Sequence, residues 1–271
     1  MQPHAPSTAP ELRQQALRVL LLRDPADKAA AARSLYAERS DWALDPQAVL
    51  TAPPGVPGRP ERPALVEPGT VPTRSPFTTT GRAALIHALA HIEFNAINLA
   101  LDAIWRYPGM PEAYYLDWLQ VADEEALHFN LLREHLCSLG FDYGSFDAHD
   151  GLWIMCEKTA HDLTARMALV PRTLEARGLD ATPLIQAKLK RAGDDAAAAI
   201  LDVILRDEIG HVAIGNRWYR QLCEQQGLEP IAHYNQLVEH YGAPKPRPPL
   251  NLAAREAAGF SADELAYLQG G

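Results

Sequence analysis

Cysteine is scarce. The 271 residues contain three, Cys137, Cys156 and Cys223. An odd number at no metal-like spacing excludes a disulfide framework and a cysteine-ligated zinc site, and it reads as reduced thiols in a cytoplasmic protein. Long apolar runs are missing too. No stretch reaches the roughly 18 uninterrupted apolar residues that a membrane span needs. Met1 to Pro10 lacks the basic-then-apolar pattern of a secretory signal, so the sequence predicts neither membrane insertion nor export. Basic runs are absent as well, with 25 Lys and Arg against 34 Asp and Glu and a formal net charge of −9. Nucleic-acid binders usually carry a basic footprint, so this balance argues against a large polyanionic partner. It leaves tRNA open, because a local patch on an acidic protein escapes such a count. Signals for β-strands are nearly absent.

What remains is helix. Apolar residues make up 47% of the chain, enough for a sizeable core. Glu11 to Leu22 places Leu12, Ala16, Val19 and Leu20 on one face, and Asp24 to Glu38 starts with a capping Asp and Pro25 just inside the helix. Prolines 53, 54, 57, 60, 63, 68, 72 and 76 then exclude regular structure and predict an extended linker or a strap over a folded surface. Four long helices follow. They are expected at about 82–106, 111–139, 152–177 (with Pro171 as a kink) and, after a short helix from Pro183 to Gly193, from a capping Asp194 to about Gln226. A patch at 231–241, a Pro-rich turn at 244–249 and a last helix capped by Ser261 complete the chain. This pattern predicts an all-α fold. An N-terminal helical segment (1–50) and a Pro-rich strap (51–77) precede a four-helix bundle (78–228), and a C-terminal helical extension (229–271) packs on it.

Two of the long helices carry the same tetrad, Glu125-Ala-Leu-His128 and Glu208-Ile-Gly-His211. Groups three apart on a helix share a face and reach one ion together. One Glu-x-x-His arises often by chance; two on long helices are far more specific. A carboxylate-bridged dimetal bundle also needs one Glu from each of the other two helices. Glu93 precedes Glu125 by 32 residues with Gly109 at the midpoint, so the two should sit level across a helical hairpin. Glu175 precedes Glu208 by 33 and is chosen for that echo, with Glu157 and Asp162 in reserve. Carboxylate and imidazole without thiolate suit iron, or manganese with iron, and disfavour structural zinc. Glu124 and Asp207, one position before each tetrad Glu, point sideways and are candidates to orient the ligand histidines, with Arg133 and Arg206 balancing them.

Other polar and aromatic groups read as ordinary structure. His91 falls on the face opposite Glu93, and His135 and His161 fit partly exposed helix positions. Trp105, Trp118, Trp153, Trp218, Tyr114, Tyr115 and Tyr219 fit packing anchors. Ile92, Phe94, Leu127, Ile209 and Val212 flank the six candidates and should draw them toward the interior.

The runs His91-Ile-Glu93-Phe-Asn-Ala-Ile97, Asp123-Glu-Glu-Ala-Leu-His128, Ala165 to Leu179 and Arg206-Asp-Glu-Ile-Gly-His211, with the tail from Tyr241 to Ser261, resemble the ferritin-like family filed as domain of unknown function 455. The resemblance covers most of the chain. It implies a ferritin-like dimetal bundle and supports Glu175 as the third-helix ligand, but no settled reaction. A more distant likeness, in fold and ligand pattern alone, is to the ferritin-like diiron tRNA hydroxylases.

These readings converge on Glu93, Glu125, His128, Glu175, Glu208 and His211 as ligands of two metal ions. The expected activity is an O2-dependent oxidase or monooxygenase on a small organic molecule or modified nucleoside, fed by an external electron donor. The alternative is an iron-handling protein that oxidises or stores iron with no organic substrate, and a homodimer is compatible with either.

Overall fold

In a computed structural model, residues 10–270 are described, and they are helical with no strand among them. The only extended pairings among these residues are isolated bridges, Glu11 with Ala43 and Leu65 with Ala148. Chain contacts separate two units, one of residues 10–63 with 90–130, the other of residues 64–89 with 131–270.

In the first unit, α1 (Leu12–Leu20) buries the predicted face of Leu12, Ala16, Val19 and Leu20. The Asp24 carboxylate accepts the amides of Ala26 and Asp27 at 2.9 and 3.0 Å and starts α2 (Pro25–Ala37), as its sequence predicts. The first half of a helical hairpin, α3 (Thr79–Arg106), and the second, α4 (Glu112–Ser138), meet at Gly109, whose φ of +81° suits glycine. Arg13 is fully buried and donates to five carbonyls: Ile104 and Trp105 at the end of α3, and Asp45, Pro46 and Ala48. A cation there complements the negative end of the α3 dipole. Among the prolines, Gly58 donates to Leu20 O at 2.9 Å, and a Cβ at Gly58 would lie 2.1 Å from Leu21 O, so only glycine lets the segment lie against the end of α1. Lys28 of α2 is buried beneath it, donating to Gly58 O at 2.7 Å and Asn98 Oδ1 at 2.6 Å.

α3 is long and apolar enough to cross a membrane by length and composition, yet 78% of its most apolar 18-residue window is buried in the protein. That makes it a core helix here.

In the second unit the expected helix 152–177 is replaced by three pieces. α5 (Gly151–Lys158) stops where Thr159 Oγ1 back-bonds to Met155 O at 2.8 Å. Asp162 caps α6 (Leu163–Leu169), and Arg166 closes the gap by donating to Thr159 Oγ1 and Cys156 O. Pro171, expected as a kink, instead sits in a π-helical segment, Val170–Glu175. Proline removes an α-helical amide and clashes with the carbonyl four back, and the wider π turn absorbs both. Gly178 does not end the helix. α7 (Ala176–Arg191) runs through Gly178 and Pro183 to a turn at Gly193, φ +77°. Asp194 then caps α8 (Asp195–Gln226) by accepting from Ala197 N. α9 (Pro230–Tyr241), α10 (Leu252–Ala257, unforeseen and capped by Asn251) and α11 (Ala262–Gly270) follow. α11 opens with a reciprocal capping box: Glu264 N donates to Ser261 Oγ, and Ser261 N donates to Glu264 Oε2. Ala176, Leu179, Val212, Ala254, Ala258 and Phe260 form an apolar core that joins α7, α8 and α10.

Candidate metal centre

The hairpin of α3 and α4 explains the first three candidates. Glu93 and Glu125 are equidistant from Gly109, and His128 follows Glu125 by one helical turn. All three are buried. His128 Nδ1 lies 3.5 Å from Glu125 Oε2 and 3.6 Å from Glu93 Oε2. These separations are long for hydrogen bonds but natural for ligands of one ion. Two donors each about 2.1 Å from a metal, at angles of 90–120°, sit roughly 3.0–3.6 Å apart. Burial raises the Glu93 carboxyl well above the usual carboxylate range, and the neighbouring charge of Glu125 raises it further against the opposing pull of His128.

The second unit carries the matching set. Glu208 and His211 are buried on α8, with His211 Nδ1 3.8 Å from Glu208 Oε1. Glu175, also buried, ends the π-helical segment. The observed turn at Gly193 now sets its height. Glu175 and His211 are each 18 residues from that glycine, and Pro171 and Gly215 are each 22 from it. The second pair is in contact: a Cβ on Gly215 would lie 2.6 Å from Pro171 Cβ and Cγ. Gly215 follows Glu208 by seven and His211 by four, so it shares their face of α8. The π segment therefore packs on the ligand-bearing face of α8, with Glu175 level with His211. The helix expected to end at 177 continues, and the chain turns back only at Gly193.

Three of the six candidates, Glu93, Glu125 and His128, bring a ligand atom within 4.8 Å of one another. This buried group could hold a metal ion. Among the described residues that close group contains neither Glu175 nor His211. The flanking residues behave unevenly: Phe94 and Val212 are buried, whereas Ile92 is 45% exposed and lies on the outer side of α3. Glu124 accepts from Gln120 Nε2 at 2.9 Å. Asp207 pairs with Arg206, as expected of that arginine, while Arg133 pairs with Asp142. His91 contacts Asn95 inside α3, and His135 lies 3.0 Å from the Asp194 that caps α8. Gly215 and Arg172 had not been singled out. A small residue one turn beyond a Glu-x-x-His and an arginine beside a mid-helix proline were the available signals.

A family model described as Protein of unknown function (DUF455) matches residues 21–266. The chain belongs to the DUF455 family. It is also 52% identical, over 216 residues, to an uncharacterized protein of Haemophilus influenzae; the match spans 77% of this chain and 75% of that protein. No solved structure matches. The DUF455 chain is thus all-α.

Proposed function

We propose that this DUF455 protein is a ferritin-like dimetal carboxylate protein, most consistent with a diiron oxidase or monooxygenase. The observation that carries the reading is the buried, mutually close group of Glu93, Glu125 and His128 on the hairpin, with a second buried Glu-x-x-His on α8. Burying several carboxylates together is unfavourable unless a cation neutralises them. Glu93, Glu125 and His128 would hold one ion, and Glu175, Glu208 and His211 the other. The donor set of oxygen and nitrogen without sulfur fits iron, or manganese with iron. Two such ions would supply redox chemistry with O2.

The chain's own contributions are distinct. His128 and His211 bind as neutral bases and fix direction without adding charge. Burial and the charge of Glu125 raise the Glu93 carboxyl, and a cation bound beside it would offset both effects. Phe94 and Phe129, beside Glu93 and His128 in the sequence, are buried with ring centroids 5.6 Å apart and keep the hairpin interior apolar. The substrate would be a small organic molecule or modified nucleoside, with electrons from an external donor.

Elemental analysis of purified protein tests the centre: about two metal ions per chain are expected, and a preparation reconstituted with ferrous iron that retains none refutes it. Oxygen uptake by the reduced protein tests the reaction class. Uptake that stops after one cycle without a donor, leaving no mineral, supports the oxygenase. Continued uptake with many irons per chain in particles of hundreds of kilodaltons overturns it in favour of iron storage.

A further inference from the structure

A π-helical turn is rare and persists only where its surroundings hold it. The turn that ends in Glu175 is held at three successive residues. Pro171 packs on Gly215 of α8. Arg172 is buried and donates to Asn216 Oδ1 at 2.6 Å and to Glu264 Oε1 of α11 at 2.7 Å. Its guanidinium also lies over the rings of Phe260 (4.7 Å), Tyr219 (5.2 Å) and Tyr234 (5.3 Å). Thr173 Oγ1 donates to Ala168 O at 2.7 Å and shares a hydrogen bond with the Tyr234 hydroxyl of α9 at 3.0 Å. Glu264 does double duty, since its other oxygen closes the capping box of α11. Although burial alone would raise its carboxyl, Arg172 and the Ser261 amide hold it below the usual range.

We propose that the C-terminal helices are a clamp that positions Glu175 as a metal ligand, with Arg172, Thr173, Tyr234 and Glu264 as positioning residues. This rests on the dimetal reading above. Pro171 favours the wide turn but does not fix which way its end faces, so if the clamp is released the residues after Pro171 can shift register. One residue of register rotates a side chain by about 100°, which carries Glu175 off the face it shares with α8. None of the clamp residues is among Glu93, Glu125 and His128. The clamp therefore acts on one ion of the two.

The test is anaerobic equilibrium dialysis of metal-free, full-length protein against Fe2+. Wild type should take up about two ions. Glu264→Ala should keep one with unchanged affinity and bind the second at least tenfold more weakly, with partial rescue in Glu264→Gln. Tyr234→Phe, which removes a single hydroxyl, folds even if Glu264→Ala does not, and should weaken the second ion on the order of threefold to tenfold. Leu237→Ala, a core truncation in α9 that leaves the clamp atoms intact, should retain both ions. Unchanged binding of both ions in Glu264→Ala and Tyr234→Phe overturns the clamp. So does loss of the second ion in Leu237→Ala to the same degree. A wild type that takes up no iron overturns the dimetal reading itself, and that result is distinct from either.

Discussion

Replacing Glu125 by Gln should have opposite effects on the metal-free and metal-loaded protein. Glu93 and Glu125 are buried and their ligand atoms lie within 4.8 Å of each other. At that distance and an effective dielectric of about 20, two carboxylate charges repel by about 3.5 kcal/mol. Because His128 offsets part of that repulsion, the relief from Glu125→Gln is smaller, about 1–3 kcal/mol. For 271 residues the unfolding entropy is about 0.57 kcal/mol/K, so the metal-free variant should melt roughly 2–5 °C above metal-free wild type. Metal reverses the order. A single ion at a free concentration 1,000 times its Kd stabilises by about 4.1 kcal/mol, or roughly 7 °C, whereas the variant should gain under about 2 °C. Thermal unfolding followed by circular dichroism, with chelator and then with Fe2+ under argon, reads both quantities. A metal-free variant that melts several degrees below wild type, with the same response to iron, would show that Glu125 is an ordinary packing group and would refute the reasoning.

Two further outcomes test the first unit. Burial first, and then the charge of Arg59, lower the Lys28 ammonium from 10.5 to about 7. The unfolded chain thus binds a proton between pH 7 and 10.5 that the folded one has released, and stability should rise with pH across that window. Measured between pH 8 and 10, wild type should gain about 1.4 kcal/mol per pH unit relative to Lys28→Met; parallel pH profiles would refute the shift. Arg13→Leu strands five carbonyls that now share one guanidinium. It should cost about 3–5 kcal/mol and lower the melting temperature by roughly 5–9 °C, and a loss under 1 kcal/mol by urea denaturation would contradict that role.

Local signals were sufficient wherever one short stretch decides the outcome. Asp24 and Pro25, Gly109, Asp194 and Ser261 start or stop helices through their own side chains or backbone freedom, and each does so at the position its sequence predicts. The group of Glu93, Glu125 and His128 was legible for the same reason, because equal distances from one turn set two helices in register. The other half was less so. Gly178 and Pro183 are helix breakers by propensity, yet α7 runs through both because its apolar side, Ala176 and Leu179, is buried in the core with Val212.

The sequence by itself determined that this chain is helical, where most helices begin and end, and which carboxylates and histidines share a helical face; each follows from spacing along one segment. Only the tertiary structure decided that α7 runs unbroken through Gly178 and Pro183, that Pro171 lies in a π turn against Gly215, and that Arg172 is gripped by residues up to 92 positions away. Such contacts form because distant side chains happen to match in shape and charge once the core has closed, and no local period or propensity encodes that match.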